Sequence, residues 1–504
     1  MSALSRGRRP LLVVAAAGAL LGAVVALRYA ALDLTLSHYD ARGHIVVSRR
    51  IFDSITPGWQ QIGAVWLPLP HLLNALPVQI DLLYRTGASA VALSVLAFAV
   101  ATAAIAWIVA SLTRSWLAGV AGLTVFALNP NVLYLQATPM TEPLLIASTT
   151  GAIALLLAYC SRIADEHAPG LQGRDQRALP AAIVGWTFGL ACLTRYEAWP
   201  VTIGALGAAI WVLWRQGLSV SHAIRAVGRV AIFPLAAIAA FTVFSKVVVG
   251  DWFASGFFVP ENPAQGQPLE AVSEIVWGLR ELSGTAMMLV AAAGALLLLG
   301  ASLARKARAS DILPLALIGT AAVPWSAFVD GHPYRIRYMV PLIAAQAICA
   351  GVAVGRWRRG RVVLSLALMA LAAFELRPLN LSAPLVVEAQ WDRPNAPGRA
   401  IVTTCLRDSY RGETIMASMG SLGHYMQDVS KAGFAIRDFL HEGNGDIWLN
   451  ALNAPRPFAG WILIEEKAEG GDMLAAIARE NPQFLDGYAR VCEGAGLALY
   501  RRMD

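Results

Sequence analysis

HYDARGHIVVSRRIFDSITPGWQQIGAVWLPLPH, residues 38–71, joins the first strongly apolar segment of the chain, residues 11–32, to the apolar segments that follow. Asp40 lies only a few positions beyond the end of that first segment. A carboxylate at this depth is costly unless it is paired or used, because a charge near hydrocarbon must be solvated or compensated. Asp40 is therefore a candidate catalytic residue, the alternative being an acid that marks the water side of a membrane interface. The Trp, Pro and apolar residues of 51–70 predict a helix lying in that interface.

The composition is that of an integral membrane protein. Of the 504 residues, 57% are hydrophobic and 14% are charged, and the mean hydropathy is +0.55. Soluble chains carry about 25% charged residues, and a helix of about 20 residues crosses roughly 30 Å of hydrocarbon. The apolar runs predict an α-helical polytopic protein with about 11 transmembrane helices. They lie near residues 11–32, 85–111, 116–134, 142–160, 179–195, 198–214, 228–249, 285–304, 312–329, 338–354 and 362–379.

The distribution of charge orients these helices. Lys and Arg outnumber Asp and Glu by 28 to 17 over residues 1–379 and are outnumbered by 12 to 16 over residues 380–504. Most basic residues of the first part fall in alternate short loops such as ARKAR (304–308) and GRWRRGR (355–361), which is typical of cytoplasmic loops. This pattern argues against nucleic-acid binding. It predicts a cytoplasmic N-terminus and, for an odd number of spans, an extracytoplasmic C-terminus.

The chain changes character near residue 381, which predicts two domains: a transmembrane domain over 1–380 and a small soluble α/β domain over 381–504. In the second domain, hydrophobic runs of strand length alternate with helical patterns such as GDMLAAIAREN. The runs that we interpret as strands are AIVTTCL (400–406), TIMASM (414–419), GWILIEE (460–466) and LALYRR (497–502).

The five cysteines divide into two groups. Cys160, Cys192 and Cys349 fall in or beside apolar segments and are expected to be inert packing residues. Cys405 and Cys492 lie in the polar domain, where they would form a disulfide if that domain is outside the cell; two unpaired buried thiols are the alternative. No CxxC or other metal-ligand spacing occurs in the sequence. No cofactor is indicated, although a divalent metal stays open.

NPNVLYLQATPMTEPLL, residues 129–145, contains three prolines that interrupt helical hydrogen bonding. Such breaks at membrane depth are tolerated where they line a cavity. Glu142, at the break, is a candidate substrate-binding residue; a compatible alternative is an acid at a helix N-terminus, with Thr141 as the cap. Two weaker candidates, for which a structural role is favoured, are His71 and Asp251.

LTRYEAWP, residues 193–200, places Arg195 and Glu197 within an apolar stretch, where each is costly alone. We assign Arg195 to the binding of a donor phosphate and Tyr196 to substrate binding. Glu197 is better explained as an ion-pair partner that fixes helix packing.

DGHPYRIRYMVPL, residues 330–342, gathers Arg335, Arg337, His332 and Tyr338 at the predicted outer interface. Planar guanidinium groups suit a phosphate, because they form bidentate hydrogen bonds with it. We assign both arginines to the donor phosphate, and the histidine and tyrosine to substrate binding. A pair of arginines that bind lipid headgroups is the alternative.

These groups fit one reaction. A sugar carried on a long lipid phosphate is attacked by an acceptor hydroxyl. The leaving phosphate needs positive charge, which Arg335 and Arg337 would supply, and the alcohol needs a base, which Asp40 would supply. One base and one direct displacement imply inversion at the sugar carbon.

The chain resembles the GT-C-type polytopic glycosyltransferases, particularly the protein O-mannosyltransferase and aminoarabinose-transferase-like family. The resemblance covers roughly residues 10–380 and rests on YDARGH around Asp40, followed in order by ATPMTEPL, LTRYE and RIRYMVPL. It implies a GT-C-like fold, a polyprenyl-phosphate sugar donor and an extracytoplasmic active site with Asp40 as the catalytic base. Members of the family often carry two adjacent acids in this loop, whereas Ala41 follows Asp40 here.

Two other classes stay open. A lipid-linked glycan polymerase or ligase would share the topology and the arginines but would not need Asp40. A secondary transporter often shows matching halves with broken helices, and the sequence has no such symmetry. The expected location is a bacterial inner membrane, and the expected acceptor is a protein, a lipid or a polysaccharide.

Overall fold

The fold is a bundle of membrane helices followed by a small C-terminal sheet. The computed structural model describes residues 3–166, 179–252 and 260–503. The helices before residue 380 are α1 (Ala3–Ala31), α2 (Tyr39–Arg50), α3 (Pro68–Asn74), α4 (Asp81–Thr86), α5 (Ala88–Thr113), α6 (Trp116–Ala127), α7 (Pro130–Leu135), α8 (Glu142–Glu166), α9 (Ala181–Cys192), α10 (Ala198–Arg215), α11 (Val220–Val248), α12 (Pro268–Ser283), α13 (Thr285–Ala304), α14 (Ala322–Val329), α15 (Leu342–Arg356) and α16 (Arg361–Leu376). A 3₁₀ helix, Lys306–Ala321, runs directly into α14, and another, Ile336–Met339, precedes α15.

Eight helical segments among the described residues are long and apolar enough to cross a membrane. They are Arg9–Ala31, Ala88–Thr113, Glu142–Glu166, Ala198–Arg215, Val220–Val248, Thr285–Ala304, Arg308–Val329 and Ile336–Arg356. Each corresponds to a predicted span, which confirms a polytopic helical fold.

Three predicted spans are shorter than expected. The segments 116–134, 179–195 and 362–379 form α6, α9 and α16, which have 12, 12 and 16 residues. At 1.5 Å per residue these helices are about 18–24 Å long, less than the hydrocarbon thickness. Proline or charged residues limit them, because α6 stops before Asn129–Pro130, α9 before the LTRYE segment and α16 at Arg377. These three predicted spans are therefore helical and apolar but shorter than the eight segments above.

The predicted break at residues 129–145 is present. The side-chain oxygen of Asn129 accepts the backbone N–H groups of Asn131 (2.9 Å) and Val132 (3.4 Å), and Pro130 occupies the first turn of α7, where no N–H is needed. Residues 129–143 are all buried. The irregular backbone between α6 and α8 therefore lies inside the protein, as a break at membrane depth requires.

Small residues let the membrane helices approach one another closely. At Gly294 of α13, an added Cβ atom would lie 1.9 Å from the carbonyl oxygen of Cys349 in α15. Any side chain at this position would push the two helices apart, and close approach through small residues is a common mode of helix packing in membranes. Cys349 is a buried free thiol, as are Cys160 and Cys192, which agrees with their predicted packing role.

The region predicted as one interfacial helix, residues 51–70, is instead a 3₁₀ helix, Trp59–Ile62, followed by the start of α3. The prediction of a single helix is wrong because Gly58 and Gly63, both with positive φ, interrupt the backbone. The region still exposes large apolar side chains, among them Phe52 and Trp59.

The C-terminal part forms the α/β unit that the sequence predicts. Its helices are α17 (Pro384–Glu388), α18 (Ala396–Ser409), α19 (Met419–Val429), α20 (Asp446–Asn453) and α21 (Met473–Glu480), and its strands are β1 (Ile415–Ala417), β2 (Phe439–Leu440), β3 (Trp461–Glu465), β4 (Tyr488–Gly494) and β5 (Leu497–Arg502). The strand order is β2-β1-β3-β5-β4, with β1 parallel to β2 and β3, and β5 antiparallel to β3 and β4. The runs TIMASM, GWILIEE and LALYRR contain β1, β3 and β5.

The prediction of a strand at AIVTTCL, residues 400–406, is wrong, because these residues lie within α18. Val402 and Leu406 are four residues apart and both are buried in the cluster that contains the sheet residues. The hydroxyls of Thr403 and Thr404 donate to the carbonyl groups four residues earlier. Helical spacing of the buried residues therefore outweighs the preference of threonine for strands.

The C-terminal domain packs against the loop between α1 and α5. Ile45, Val46 and Tyr84 of this loop share a hydrophobic cluster with Phe439 and other residues of the sheet. Asp53 of the loop accepts a hydrogen bond from Nε of Arg437 at 2.7 Å. The C-terminal domain thereby contacts both α2, the helix that carries Asp40, and the loop that follows it.

Candidate active site

Asp40 lies in the first turn of α2. His38 caps this helix in an extended conformation (φ −70°, ψ 129°), and its Nδ1 atom accepts the backbone N–H of Asp40 at 3.1 Å. The aspartate is 7% exposed. An acid in the first turn is stabilised by the helix dipole. The local sequence therefore starts the helix and also fixes the backbone position from which the Asp40 side chain extends.

The carboxylate of Asp40 forms an ion pair with Arg337, through Oδ2 and Nη2. Arg337 belongs to the 3₁₀ helix that precedes α15, and its guanidinium lies over the ring of Tyr338, 5.1 Å from the centroid. Only 5% of Arg337 is exposed. Its Nε and Nη1 atoms have no hydrogen-bond partner among the described residues. A buried guanidinium with two free donors is suited to an incoming anion.

The ion pair keeps Asp40 ionised. Burial alone would raise the pKa of Asp40, but the charge of Arg337, together with its hydrogen bond, lowers the pKa below the usual value. The charge of Arg195 acts in the same direction. Asp40 is therefore a carboxylate at neutral pH, the form that a general base requires.

A second charged cluster surrounds Arg195. Its Nη1 atom lies 3.1 Å from Oε1 of Glu142 and donates to Oγ1 of Thr141 at 3.0 Å, while Nη2 donates to Oε1 of Glu197 at 2.7 Å. The expected ion pair of Glu197 is thus present. Glu142 is fully buried at the start of α8, and its carboxylate oxygens make no hydrogen bond of good geometry with the described residues. The guanidinium of Arg195 therefore lies between two acidic side chains.

The remaining residues of the 330–342 segment lie on the same side as Arg337. The phenol of Tyr338 is 3.4 Å from Nε2 of His332, whose Nδ1 lies 2.8 Å from the carbonyl oxygen of Pro333. Arg335 is half-buried and interacts with Tyr39, the neighbour of Asp40. The structure therefore brings Asp40, the break before α8, the LTRYE segment and the RIRY segment to one place.

Three candidates take other positions. The hydroxyl of Tyr196 donates to the carbonyl oxygen of Ala64 at 2.9 Å, and its ring packs on Trp199, so it serves to dock the first loop. Nε2 of His71 lies 3.1 Å from Nδ1 of His44, a buried pair within the first loop. Asp251 is exposed at the end of α11.

The two cysteines of the C-terminal domain face each other. Cys405 in α18 and Cys492 in β4 are paired, with their Cα atoms 6.5 Å apart, a separation that suits a disulfide.

Two residues beside the Asp40–Arg337 pair, His38 and Glu388, were not predicted from the sequence. His38 caps α2, and the only available signal was its position two residues before the acid. Glu388 accepts the backbone N–H of Ile336 at 2.8 Å, next to Arg337. Glu388 is part of none of the sequence motifs described above, and it lies 348 positions after Asp40 in the chain.

No group of three or more His, Cys, Asp or Glu side chains arranged to hold a metal ion occurs among the described residues.

Comparisons with known proteins identify the fold. No protein-family model and no curated protein matches the sequence. Two solved structures of ArnT from Cupriavidus metallidurans, an aminoarabinose transferase, are similar over 95% of this chain and 97% of theirs. The apo structure superposes with a TM-score of 0.57 at 14% identity, and the structure bound to undecaprenyl phosphate with a TM-score of 0.52 at 15% identity. The chain therefore has a GT-C-like fold, that of the membrane glycosyltransferase ArnT.

Proposed function

We propose that this protein is a membrane glycosyltransferase that moves a sugar from a polyprenyl-phosphate donor to an acceptor hydroxyl, with inversion at the sugar carbon. The observation that carries the proposal is the buried pair of Asp40 and Arg337, in which a carboxylate base and a guanidinium with two free donors lie side by side. The fold supports it, because ArnT has been crystallised with undecaprenyl phosphate.

The donor phosphate is bound by Arg337 and Arg335 in this proposal. Arg337 offers Nε and Nη1, and Arg335 lies two residues before it at the same turn. Arg195 is a poorer ligand than the sequence suggested, because two carboxylates and Thr141 already occupy its guanidinium. We assign Arg195 the role of holding Glu142 in position through their ion pair.

The reaction is a single displacement. The acceptor oxygen attacks the sugar carbon and transfers its proton to Asp40, while the bond from that carbon to the phosphate oxygen breaks and its electron pair stays on the phosphate. Arg337 and Arg335 stabilise the negative charge that develops there. As the phosphate engages Arg337, the hold of that guanidinium on Asp40 weakens. The pKa of Asp40 then rises toward the range of an effective base.

Glu142 is positioned to bind the acceptor or the sugar. Its carboxylate is completely buried, yet it makes no hydrogen bond of good geometry with the described residues. Its ion pair with Arg195 leaves further acceptor capacity on the two carboxylate oxygens, and a buried acceptor of this kind suits a hydroxyl group.

We further propose that the site faces the extracytoplasmic side of a bacterial inner membrane and that the C-terminal domain lies on the same side. The distribution of Lys and Arg along the sequence supports this orientation. The acceptor class, whether protein, lipid or polysaccharide, is the open part of the proposal.

The test is a transfer assay with purified protein in nanodiscs. A panel of radiolabelled polyprenyl-phosphate sugars is supplied with membrane extract as acceptor, and Asp40→Asn is run beside the wild type. The matched control is Asp33→Asn, because Asp33 is exposed in the same loop and has a φ of 56°, which asparagine tolerates.

We expect one donor to be consumed by the wild type and by Asp33→Asn and to be spared by Asp40→Asn. Consumption only of diphosphate-linked glycans would instead indicate a polymerase or ligase. Uptake of a solute without any transfer would indicate a transporter.

A further inference from the structure

We infer that Glu388 is a positioning residue that holds both members of the Asp40–Arg337 pair, through the backbone before Arg337 on one side and through His38 on the other. The inference rests on the proposed function and deepens it. Glu388 is the last residue of the short helix α17, which leads into the C-terminal domain. Through Glu388, this helix would take part in the chemistry of the membrane domain.

The first contact is with the turn that carries Arg337. Oε2 of Glu388 accepts the backbone N–H of Ile336 at 2.8 Å, and the carboxylate also interacts with the backbone N–H of Arg337. These N–H groups begin the 3₁₀ helix Ile336–Met339 and have no partner within it. Glu388 therefore caps the turn and sets the direction in which the guanidinium of Arg337 leaves the backbone.

The second contact is with the residue that caps the helix of Asp40. Oε1 of Glu388 and Nε2 of His38 are 4.0 Å apart, and neither atom has a hydrogen-bond partner among the described residues. A shift of about 1 Å would bring them to hydrogen-bond distance. Two buried polar atoms that face each other without other partners have a strong reason to pair.

The protonation of His38 agrees with this arrangement. Nδ1 accepts the N–H of Asp40, so in the neutral ring the proton resides on Nε2, the atom that faces Glu388. Burial, assisted by the positive charge of Arg337, lowers the pKa of His38 to about 3. The ring is thus neutral at physiological pH, accepts the N–H of Asp40 and has an N–H that faces Glu388 as a donor for the pairing that we infer.

The helix α17 is rigid enough for such a role. Leu385 and Val386 are buried in the same hydrophobic cluster as the membrane helices, and the N–H of Leu385 donates to Oδ1 of Asn131 at 3.0 Å. Asn131 belongs to α7, within the buried break. Glu388 therefore projects from a segment that is fixed to the membrane domain.

The test combines two substitutions at Glu388 with a matched control. Glu388→Ala removes both contacts, whereas Glu388→Gln keeps an oxygen for the N–H of Ile336. The control is Glu375→Ala, because Glu375 accepts the backbone N–H groups of Ala286 (3.0 Å) and Met287 (3.1 Å) at a helix start outside this cluster. For each variant, kcat, the donor KM and the melting temperature are measured.

We expect Glu388→Ala to lower kcat by about 10- to 100-fold, the scale of a misplacement near 1 Å. Glu388→Gln is expected to recover part of that loss. Glu375→Ala is expected to lower the melting temperature by a similar amount while leaving kcat within about twofold. A wild-type kcat in Glu388→Ala, or an equal loss of kcat in Glu375→Ala, would overturn the inference.

A second measurement does not depend on turnover. A double-mutant cycle of Glu388→Gln and His38→Asn is followed by thermal unfolding, and asparagine keeps an acceptor that can cap α2. The inference requires that the two changes are not additive, and additivity would overturn it. If the wild type transfers no sugar but the cycle shows coupling, the proposed function fails while the structural link between Glu388 and His38 stands.

Discussion

Arg42 of α2 and Asp392, in the segment between α17 and α18, form an ion pair with Nη2 and Oδ2 3.5 Å apart. Arg42 also contacts the carboxylate of Asp428 in α19, and Asp392 is shared with Arg399 and with His424. The helix that carries Asp40 is therefore connected by charge to the C-terminal domain, in addition to the apolar packing of Ile45 and Val46. Removal of the C-terminal domain would expose this face of α2.

Substitution Arg42→Met should destabilise the protein by about 1–3 kcal/mol, the cost of removing one partner of the buried carboxylate of Asp392. The loss is limited because Asp392 keeps Arg399. Thermal unfolding in detergent measures the effect. The matched control is Arg407→Met, whose pair with Asp408 is exposed and should contribute nothing measurable. Equal melting temperatures for the two variants would contradict a structural role for the Arg42 pair.

Substitution Arg337→Lys should raise the donor KM and lower kcat/KM by about 10- to 100-fold, although the charge is kept. The reason is geometric, because an ammonium group cannot contact Asp40 and present a planar pair of donors to a phosphate at once. Steady-state kinetics with the identified donor check this. Wild-type kinetics in Arg337→Lys would show that a point charge suffices and that the two free nitrogens have no role.

The dependence of kcat/KM on pH should report Asp40. Since Arg337 and Arg195 hold the pKa of Asp40 low against the effect of burial, the carboxylate stays ionised and the acid limb of the profile should lie below the pH expected for an unperturbed aspartate. In Arg337→Met, the charge of Arg337 no longer offsets burial, so the pKa of Asp40 rises and the acid limb of the residual activity moves to higher pH. An unmoved limb would exclude Asp40 as the titrating base.

The same shift has a consequence for stability. The folded pKa of Asp40 lies below its unfolded value of 3.8, so ionised Asp40 stabilises the fold above that pH. This contribution is lost as the pH falls through the folded pKa. The variant Asp40→Asn should therefore lose less stability on acidification than the wild type does, as measured by thermal unfolding at several pH values.

The cysteines of the C-terminal domain should be oxidised in the mature protein. A bridge between Cys405 and Cys492 closes a loop of 87 residues, and the chain-entropy relation gives it about 4–5 kcal/mol of stabilisation. Reductant should lower the melting temperature of the wild type and leave Cys405→Ser unchanged. Alkylation of both thiols in unreduced native protein would contradict the pairing.

Much of the membrane domain could be predicted because its causes are local. Asn129 and Pro130 end one helix and start the next within a few residues. Arg195 forms an ion pair with Glu197, two positions away. Hydropathy locates the apolar segments but does not give the number of helical residues in each, as in α16, which ends at Leu376.

The environment of Asp40 could be predicted only in part. Its proximity to Arg337 was expected from topology, since both lie on the predicted outer side. Glu388 accepts a hydrogen bond from Ile336, 52 residues earlier, and lies beside His38, while Asp392 pairs with Arg42. No local pattern in the sequence records contacts over such separations. The strand expected at 400–406 was wrong because the buried positions, Val402 and Leu406, follow a helical spacing.

The most direct test of the central claim is the binding and turnover of one polyprenyl-phosphate sugar by Asp40→Asn. We expect the donor Kd to stay within a few-fold of the wild type, because Arg337 and Arg335 are intact, while kcat falls by about 10²- to 10⁴-fold, the usual contribution of a general base. Turnover at the wild-type rate by a folded, donor-binding Asp40→Asn protein would contradict the central claim.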